Sequence, residues 1–330
     1  MRILITGGTG ALGRALIDRL INDPMVERLC ILSRDEHKVH ALAGQYKEPH
    51  NLRTFVGDIR DRDRLRLAFE NLDVVIHAAA LKRIDAVVNE SIELDKTNID
   101  GTVNVLRAAL DAGVRKVLFV SSDKAVQPTN AYGCSKMMAE HHTVGFNAYS
   151  VPRGMACSAV RYGNVFGSTG SILHIWRKAI LDGKKLELTE MNMTRFHLTL
   201  KQAVEFCVSS LHRMLGGEIF VPDLPAFRLY DLAVAMAAEH GIDVTNFFER
   251  IKIVGRRPGG EKLAEIMLSE EEPLRTLWQD DRYLVMPNHR TWSANVYRGM
   301  SVKEDPHLSS DWPNRWLSIE KLREIVREAP

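Results

Sequence analysis

The chain has no apolar run approaching the ~20 residues that a membrane-spanning helix needs, so no membrane partner is expected. Cysteine is scarce: Cys30, Cys134, Cys157 and Cys207 are scattered without C-x-x-C spacing. That argues against a disulfide scaffold or a thiolate metal site and for reduced thiols in a cytosolic protein. The twelve histidines form no metal-ligand spacing, and the adjacent His141 and His142 diverge on a helix. A net charge of +2 gives no reason to expect nucleic acid or an anionic membrane surface. There are no repeats, low-complexity tracts or linkers. A strand-like run from Arg2 leaves no room for a signal peptide, so the expected location is cytoplasmic. What is present is ordinary globular composition, 45% hydrophobic and 26% charged over 330 residues.

The apolar strand Arg2 to Thr6 runs into Gly7-Gly8-Thr9-Gly10-Ala11-Leu12-Gly13, and a helical pattern follows to about Ile21. Strand, glycine turn and helix is the context of a dinucleotide-binding loop. Gly7 permits the tight turn, Gly10 the approach of backbone N–H groups to a pyrophosphate, and Gly13 close packing of helix on strand. The second strand, Leu29 to Leu32, ends in Ser33-Arg34. NAD sites usually place an acid there for the ribose hydroxyl. A hydroxyl and a guanidinium suit a 2′-phosphate instead, which favours NADP over NAD. In the alternative, Arg34 is a solvated arginine and Asp35 holds the ribose.

The third strand, Asn51 to Val56, leads to Asp58, a partner for the adenine amino group or else a helix cap. Asp61 to Arg66 reads as a solvated helix start. Val74 to Ile76 is a buried strand followed by His77-Ala78-Ala79-Ala80-Leu81-Lys82, whose small residues let a cofactor lie against the backbone. Lys82 reaches substrate or faces water. A long helix covers Ser91 to Ala112, with Asn98 at the site end of the sheet and Gly113 as its stop.

After the strand Val117 to Val120 come Ser121-Ser122-Asp123-Lys124 and, a short loop later, Tyr132-Gly133-Cys134-Ser135-Lys136. Asn130 is the expected cap of the helix that carries Tyr132 and Lys136, which share one face at i and i+4. An ammonium beside a phenol favours the phenolate and makes it a usable base. Ser122 could hold a substrate oxygen against it. Asp123 and Lys124 add an acid and a base beyond what alcohol oxidation requires.

Strand and helix alternate at βαβ spacing, which predicts an α/β, Rossmann-type doubly wound parallel sheet with ligands at the carboxyl ends of its strands. Residues 1–165 are expected to hold the dinucleotide. Residues 166–330 are expected to form a smaller substrate domain, with some later segments returning to the first. The loop Gly255 to Lys262 is basic and glycine-rich, suited to a second phosphate-bearing ligand or else a surface turn. Asp280 to Pro306 carries no pattern that assigns it.

The glycine turn and the Tyr132–Lys136 pair resemble the extended short-chain dehydrogenase/reductase superfamily. Within it the chain is similar, nearly end to end, to the inverting UDP-N-acetylglucosamine 4,6-dehydratases of pseudaminic acid and L-sugar pathways. The likeness includes Leu32 to Glu36, Gly57 to Asp61, His77 to Lys82, Ser122 to Ala125, Arg161 to Val165, Met193 to Phe196, the Arg-Pro-Gly loop and Trp316-Leu317-Ser318. Asp123-Lys124 discriminates, because retaining dehydratases usually carry Asp-Glu there and 4-epimerases lack the pair.

The resemblance implies cofactor contacts from Gly7, Thr9, Gly10, Ala11, Leu12, Gly13, Ser33, Arg34, Asp58, Ile59, Ala78, Ala79, Lys82, Tyr132 and Lys136. It implies a UDP-N-acetylhexosamine held by Lys82, Asn164, Arg195, Arg257 and Glu261. Tyr132 takes the C4 hydroxyl proton, a neutral Lys124 removes H5, Asp123 protonates the departing C6 hydroxyl, and C5 is inverted. It also implies a homo-oligomer, a dimer or hexamer, with the helices at 91–112 and 130–147 pairing. Three positions depart from the family pattern: Ser122 for threonine, Cys134 for alanine, and Gly260 as an insertion before Glu261. The competing assignments are a UDP-sugar 4-epimerase, a retaining dehydratase, and an NADP-binding sensor without catalysis.

Overall fold

The computed structural model describes residues 1–46, 51–82, 89–166, 172–256, 260–288, 297, 299–302, 306 and 308–328. Strands β1 (Arg2–Thr6), β2 (Arg28–Ser33), β3 (Leu52–Val56), β4 (Val74–His77), β5 (Lys116–Val120) and β6 (Ala156–Val160) alternate with helices. These are α1 (Ala11–Leu20), α2 (Glu36–Gln45), α3 (Arg62–Phe69), α4 (91–111) and α5 (Ala131–Gly145). Helix α6 (Ile172–Leu181), strands β7 (Leu186–Leu188) and β8 (Thr194–Phe196), α7 (Leu200–Arg213), β9 (Ile219–Pro222) and β10 (Ala226–Arg228) follow. Then come α8 (Leu229–Glu239), β11 (Ile251–Ile253), β12 (Thr276–Gln279), β13 (Arg282–Val285), β14 (Met300–Ser301) and α9 (Ile319–Glu328).

Among the described residues, the large sheet runs β14-β12-β13-β9-β6-β5-β4-β1-β2-β3. Strands β3 to β9 of that order pair in parallel, while β13, β12 and β14 add antiparallel ribbon at the β9 edge. Thus strands well past residue 165 belong to the same sheet as the glycine turn. The stretch without a sequence pattern supplies β13 and β14.

Side chains alternate across β1, so Ile3 and Ile5 face one core and Leu4 the other. Leu16 and Ile17 of α1 and Cys207 and Leu211 of α7 close the first core. Leu65 and Phe69 of α3 and Val105 and Leu106 of α4 close the second. A third core, including Trp176, Leu188, Phe227, Met236 and Leu322, holds a smaller lobe together. Cys30, Cys157 and Cys207 are buried packing thiols, and Cys134 is exposed.

Local caps fix the helix starts. Asp35 accepts from Lys38 N at 3.0 Å, Asp61 from Arg64 N at 3.0 Å, and Asn130 from Gly133 N at 2.8 Å. Helix α4 is α-helical over Ser91–Leu94, widens to a π turn over Asp95–Asp100, and resumes over Gly101–Asp111. Asn98 sits in that turn. It holds the backbone of Leu81 at both N–H (2.8 Å) and C=O (2.9 Å) and donates to Ser135 Oγ at 2.9 Å.

Candidate active site

The strand order reverses between β1 and β4, and at such a switch point an open α/β sheet leaves a crevice beyond its carboxyl ends. Here the crevice is a cleft of about 700 Å³ that reaches from the glycine turn to the smaller lobe. Gly7 has φ +70°, and a Cβ on it would lie 2.9 Å from the Ala79 backbone; one on Gly13 would lie 2.6 Å from Gly7 O. Gly10 starts α1 without a side-chain cap, so the first-turn N–H groups open into the cleft. Backbone takes the place of side chains there, as a flat, anionic ligand requires.

Gly7, Thr9, Gly10, Ala11, Leu12, Gly13, Ser33, Arg34, Ile59, Ala78, Ala79 and Lys82 line this cleft. So do Ser122, Tyr132, Lys136, Asn164, Arg195 and Glu261. Asp58 lies in an adjoining polar pocket with Thr9, Ser33, Arg34, Lys38 and Arg60. Its carboxylate takes Arg60 Nη2 at 2.8 Å and lies 3.8 Å from Arg34. Asp61, not Asp58, caps α3, and Asp35 caps α2 while pairing with Lys38 at 2.9 Å. Arg257 lies outside the described residues, as do Pro258 and Gly259 of its loop and Gly167 and Ser168. Gly260 is described. At φ +81° its carbonyl accepts from Thr129 Oγ1 (2.8 Å) and Asn130 Nδ2 (2.9 Å), which pins the loop to the start of α5.

After β5 the chain makes a 3-10 turn, Asp123–Ala125, with Ser122 as its cap. Ser122 Oγ donates to Asp123 Oδ1 at 2.9 Å. Gly133 lets α5 pack onto this turn, since a Cβ there would lie 2.4 Å from Lys124 O. Lys124 Nζ lies 3.1 Å from Asp123 Oδ1, 2.8 Å from Asn164 Oδ1 and 3.1 Å from Glu265 Oε1. The acid and amine that follow β5 are therefore joined, through Ser122 and Asn164, to the wall that also carries Tyr132.

Two electrostatic expectations are corrected. Burial was expected to leave Lys124 neutral. Burial does pull its pKa down, but the charges of Asp123 and Glu265 outweigh it and hold Lys124 as an ammonium. Asp123 is pushed up by burial and by the Glu265 charge, toward the protonated form. The second correction concerns the phenol. Burial raises the Tyr132 pKa, and the opposing influences are the Lys124 charge and a hydrogen bond with Ser122. Lys136 instead donates to Val120 O at 2.6 Å and sits 4.1 Å over the Phe119 ring, with burial drawing its pKa down to about 7.

Two further groups, Glu265 and Arg161, were not found in the sequence, and Arg195, expected at the substrate, joins the first of them. Glu265 follows the basic loop and looks there like a solvated charge, yet is 2% exposed. Arg195 pairs with Glu261 at 3.0 Å and lies 4.0 Å from Glu265. Arg161 is buried between Glu140 of α5 and Glu272. The last contact ties the Tyr–Lys helix to the chain leading into β12. Among the described residues, no group of His, Cys, Asp or Glu could hold a metal ion, and no helix is long and apolar enough to cross a membrane.

A Rossmann-type sheet with a tyrosine and lysine one helical turn apart at its switch point, faced by a second lobe, defines an extended short-chain dehydrogenase/reductase. The chain belongs, within that class, to the family described as polysaccharide biosynthesis protein, whose model matches residues 3–287. It is 37% identical to a UDP-N-acetylglucosamine 4,6-dehydratase (inverting) of Campylobacter jejuni over 98% of this chain and 96% of that one. It is also 35% identical to a UDP-glucose 4-epimerase of Rickettsia massiliae, over 98% and 94% of the two chains. Among solved structures, Pen from Bacillus thuringiensis superposes with a TM-score of 0.88 at 30% identity, covering 99% of this chain and 97% of that one.

Proposed function

We propose that this protein is a nicotinamide-dependent UDP-N-acetylglucosamine 4,6-dehydratase that inverts C5 and yields a UDP-linked 4-keto-6-deoxy-L-sugar. The observation that carries this is the buried Asp123–Lys124 pair, which lies behind the cleft wall and is hydrogen-bonded to Ser122 and Asn164, two residues that line the cleft with Tyr132. The glycine cradle at Gly7, Gly10 and Gly13 fits a dinucleotide, as do the buried Thr97 and Ser121 hydroxyls, which line the cleft without a hydrogen-bond partner among the described residues. When bound, that cofactor supplies a hydride acceptor at C4 and the hydride returned to C6. Tyr132, in the phenolate form that the Lys124 charge favours, would receive the C4 hydroxyl proton. The resulting ketone acidifies H5, which goes to Lys124, while Asp123 protonates the C6 oxygen as it departs as water. Arg195, Glu261 and Lys82 border the space for the nucleotide sugar, with Arg257 assigned to its diphosphate.

Residues 1–165 are assigned to the cofactor and 166–330 to the nucleotide sugar, with β9 and β12 to β14 returning to the first. A cytoplasmic location and a homo-oligomer formed through the helices at 91–112 and 130–147 belong to the same proposal.

The test is incubation with UDP-N-acetylglucosamine in deuterated water. The expected product lacks the C6 oxygen and carries deuterium at C5. A UDP-hexosamine altered at C4 alone would establish the epimerase, which the Rickettsia relatives favour. A 6-deoxy product of D configuration would establish a retaining enzyme. Unaltered substrate with bound cofactor would leave the sensor.

NADP is the proposed dinucleotide, on the strength of Arg34, Lys38 and Arg60 around the pocket beside Ser33. Arg34→Ala is expected to weaken NADP binding about 10- to 100-fold, the value of a hydrogen bond to a charged group, and to leave NAD binding nearly unchanged. Titration calorimetry with each nucleotide measures this. Equal, small effects on both would remove Arg34 from cofactor choice.

A further inference from the structure

Lys124 can accept H5 only with a lone pair on Nζ, and it is paired as an ammonium with the buried carboxylate of Glu265. One of its protons must leave, and the carboxylate oxygens in reach are Asp123 Oδ1 and Glu265 Oε1, each at 3.1 Å. Asp123 has to keep a proton of its own for the C6 oxygen, so it cannot absorb this one. We propose, resting on the dehydratase assignment above, that Glu265 is the positioning residue for this step: it anchors Lys124 and takes one ammonium proton as Nζ accepts H5.

The surroundings of Glu265 suit that task. Its backbone is clamped by Ser310, whose Oγ accepts from Glu265 N at 2.8 Å and whose N–H donates to Glu265 O at 2.9 Å. Ser310 is itself tied to Thr194 Oγ1 at 2.8 Å, so the carboxylate is held from the smaller lobe. Oε1 faces Lys124 and, at 4.0 Å, Arg195 Nε; Oε2 lies 3.8 Å from Lys262 Nζ and has no hydrogen bond among the described residues. Burial pushes the Glu265 pKa up, and the charges of Lys124, Arg195 and Lys262 outweigh it, leaving an anion inside the protein. Glu261 engages Arg195 and Tyr132 adjoins Lys124, which completes the charged and titratable groups around the pair.

The step balances. The C5–H electron pair becomes the C5=C6 bond and the C6–O bond breaks, its oxygen leaving as water with the proton of Asp123. H5 ends on Lys124 Nζ, and the former Lys124 proton ends on Glu265. Before the step Lys124 is cationic, Glu265 anionic and Asp123 neutral; afterwards Lys124 is cationic, Glu265 neutral and Asp123 anionic. No redox partner enters this step.

Glu265→Gln preserves shape and still offers Lys124 an acceptor oxygen, but it cannot take a proton. The full-length variant is expected to bind substrate and oxidise C4, so that reduced cofactor accumulates, while hydrogen exchange at C5 and water loss each fall about a hundredfold or more. Removing the charge also lowers the pKa values of Lys124 and Asp123, so the whole pH–rate bell moves toward acid. Glu265→Asp, which keeps the charge, is expected to recover part of the C5 exchange and the original pH profile. Wild-type C5 exchange in Glu265→Gln overturns the proposal. So does equal loss of C4 oxidation and elimination, or a failure of Glu265→Asp to recover any exchange in a folded protein, because each marks a purely structural role. A wild-type enzyme that epimerises C4 without losing oxygen overturns the dehydratase assignment first, and the relay with it.

Discussion

Lys124→Ala is expected to bind cofactor and substrate, to oxidise C4, and to stop there, with water loss reduced about 10²- to 10⁴-fold, the range of a lost general base. The geometry separates the two half-reactions. Tyr132 and Lys136 lie on α5, whereas Lys124 lies on the turn after β5, held by Asp123, Asn164 and Glu265. The variant leaves two buried carboxylates without their shared cation. Asp123, already pushed toward its protonated form, can carry a proton and relieve that repulsion, so the fold survives. Rapid mixing followed at the reduced-nicotinamide absorbance, with deuterium incorporation at C5, reads both halves. Full dehydration by the variant would remove Lys124 from the mechanism. Loss of the oxidation signal as well would show that Lys124 also serves Tyr132, the phenol on which its charge acts.

Arg161→Ala is expected to cost about 3–5 kcal/mol of stability, the penalty for leaving buried charge uncompensated. The guanidinium grips Glu272 with two nitrogens, each at 2.8 Å, while its other edge meets Glu140 and Nη1 also bonds Met267 O at 2.8 Å. Burial raises the Glu272 pKa, and the Arg161 charge and hydrogen bonds more than reverse this, holding it below the ordinary carboxylate range. A carboxylate with a depressed folded pKa stabilises the fold above the unfolded value of about 4.3, and that stabilisation disappears as pH falls through the folded value. The difference between wild type and variant should therefore be largest near neutrality and shrink in acid. Urea midpoints across pH test this. Equal midpoints near neutrality would show that the triad contributes nothing net.

The glycine turn, the order of strands and helices, and the Tyr132–Lys136 face were legible because each rests on local pattern. Turn chemistry fixes Gly7, periodicity fixes β1 and α1, and Asn130 announces its own cap. Electrostatics was less legible because burial and distant partners set it. The Lys124 shift comes from Asp123, its neighbour in the chain, together with Glu265, which joins the site only through the fold. The same distance hid Arg161, a strand-end arginine whose two acids come from α5 and from the chain before β12. The π turn in α4 also escaped, since 91–112 has the spacing of an ordinary helix and only the contact of Asn98 with Leu81 distinguishes it.

The pinning of Gly260 by Thr129 and Asn130 has an evolutionary consequence. Asn130 uses its oxygen to start the helix that bears Tyr132 and its amide nitrogen to hold the loop assigned to the diphosphate. With a left-handed backbone at Gly260 and no room for a side chain, that loop has one fixed post. Descendants seeking new sugars could vary residues before or after the post, but lineages that lose it would retune the reacting phenol and the nucleotide grip in the same stroke.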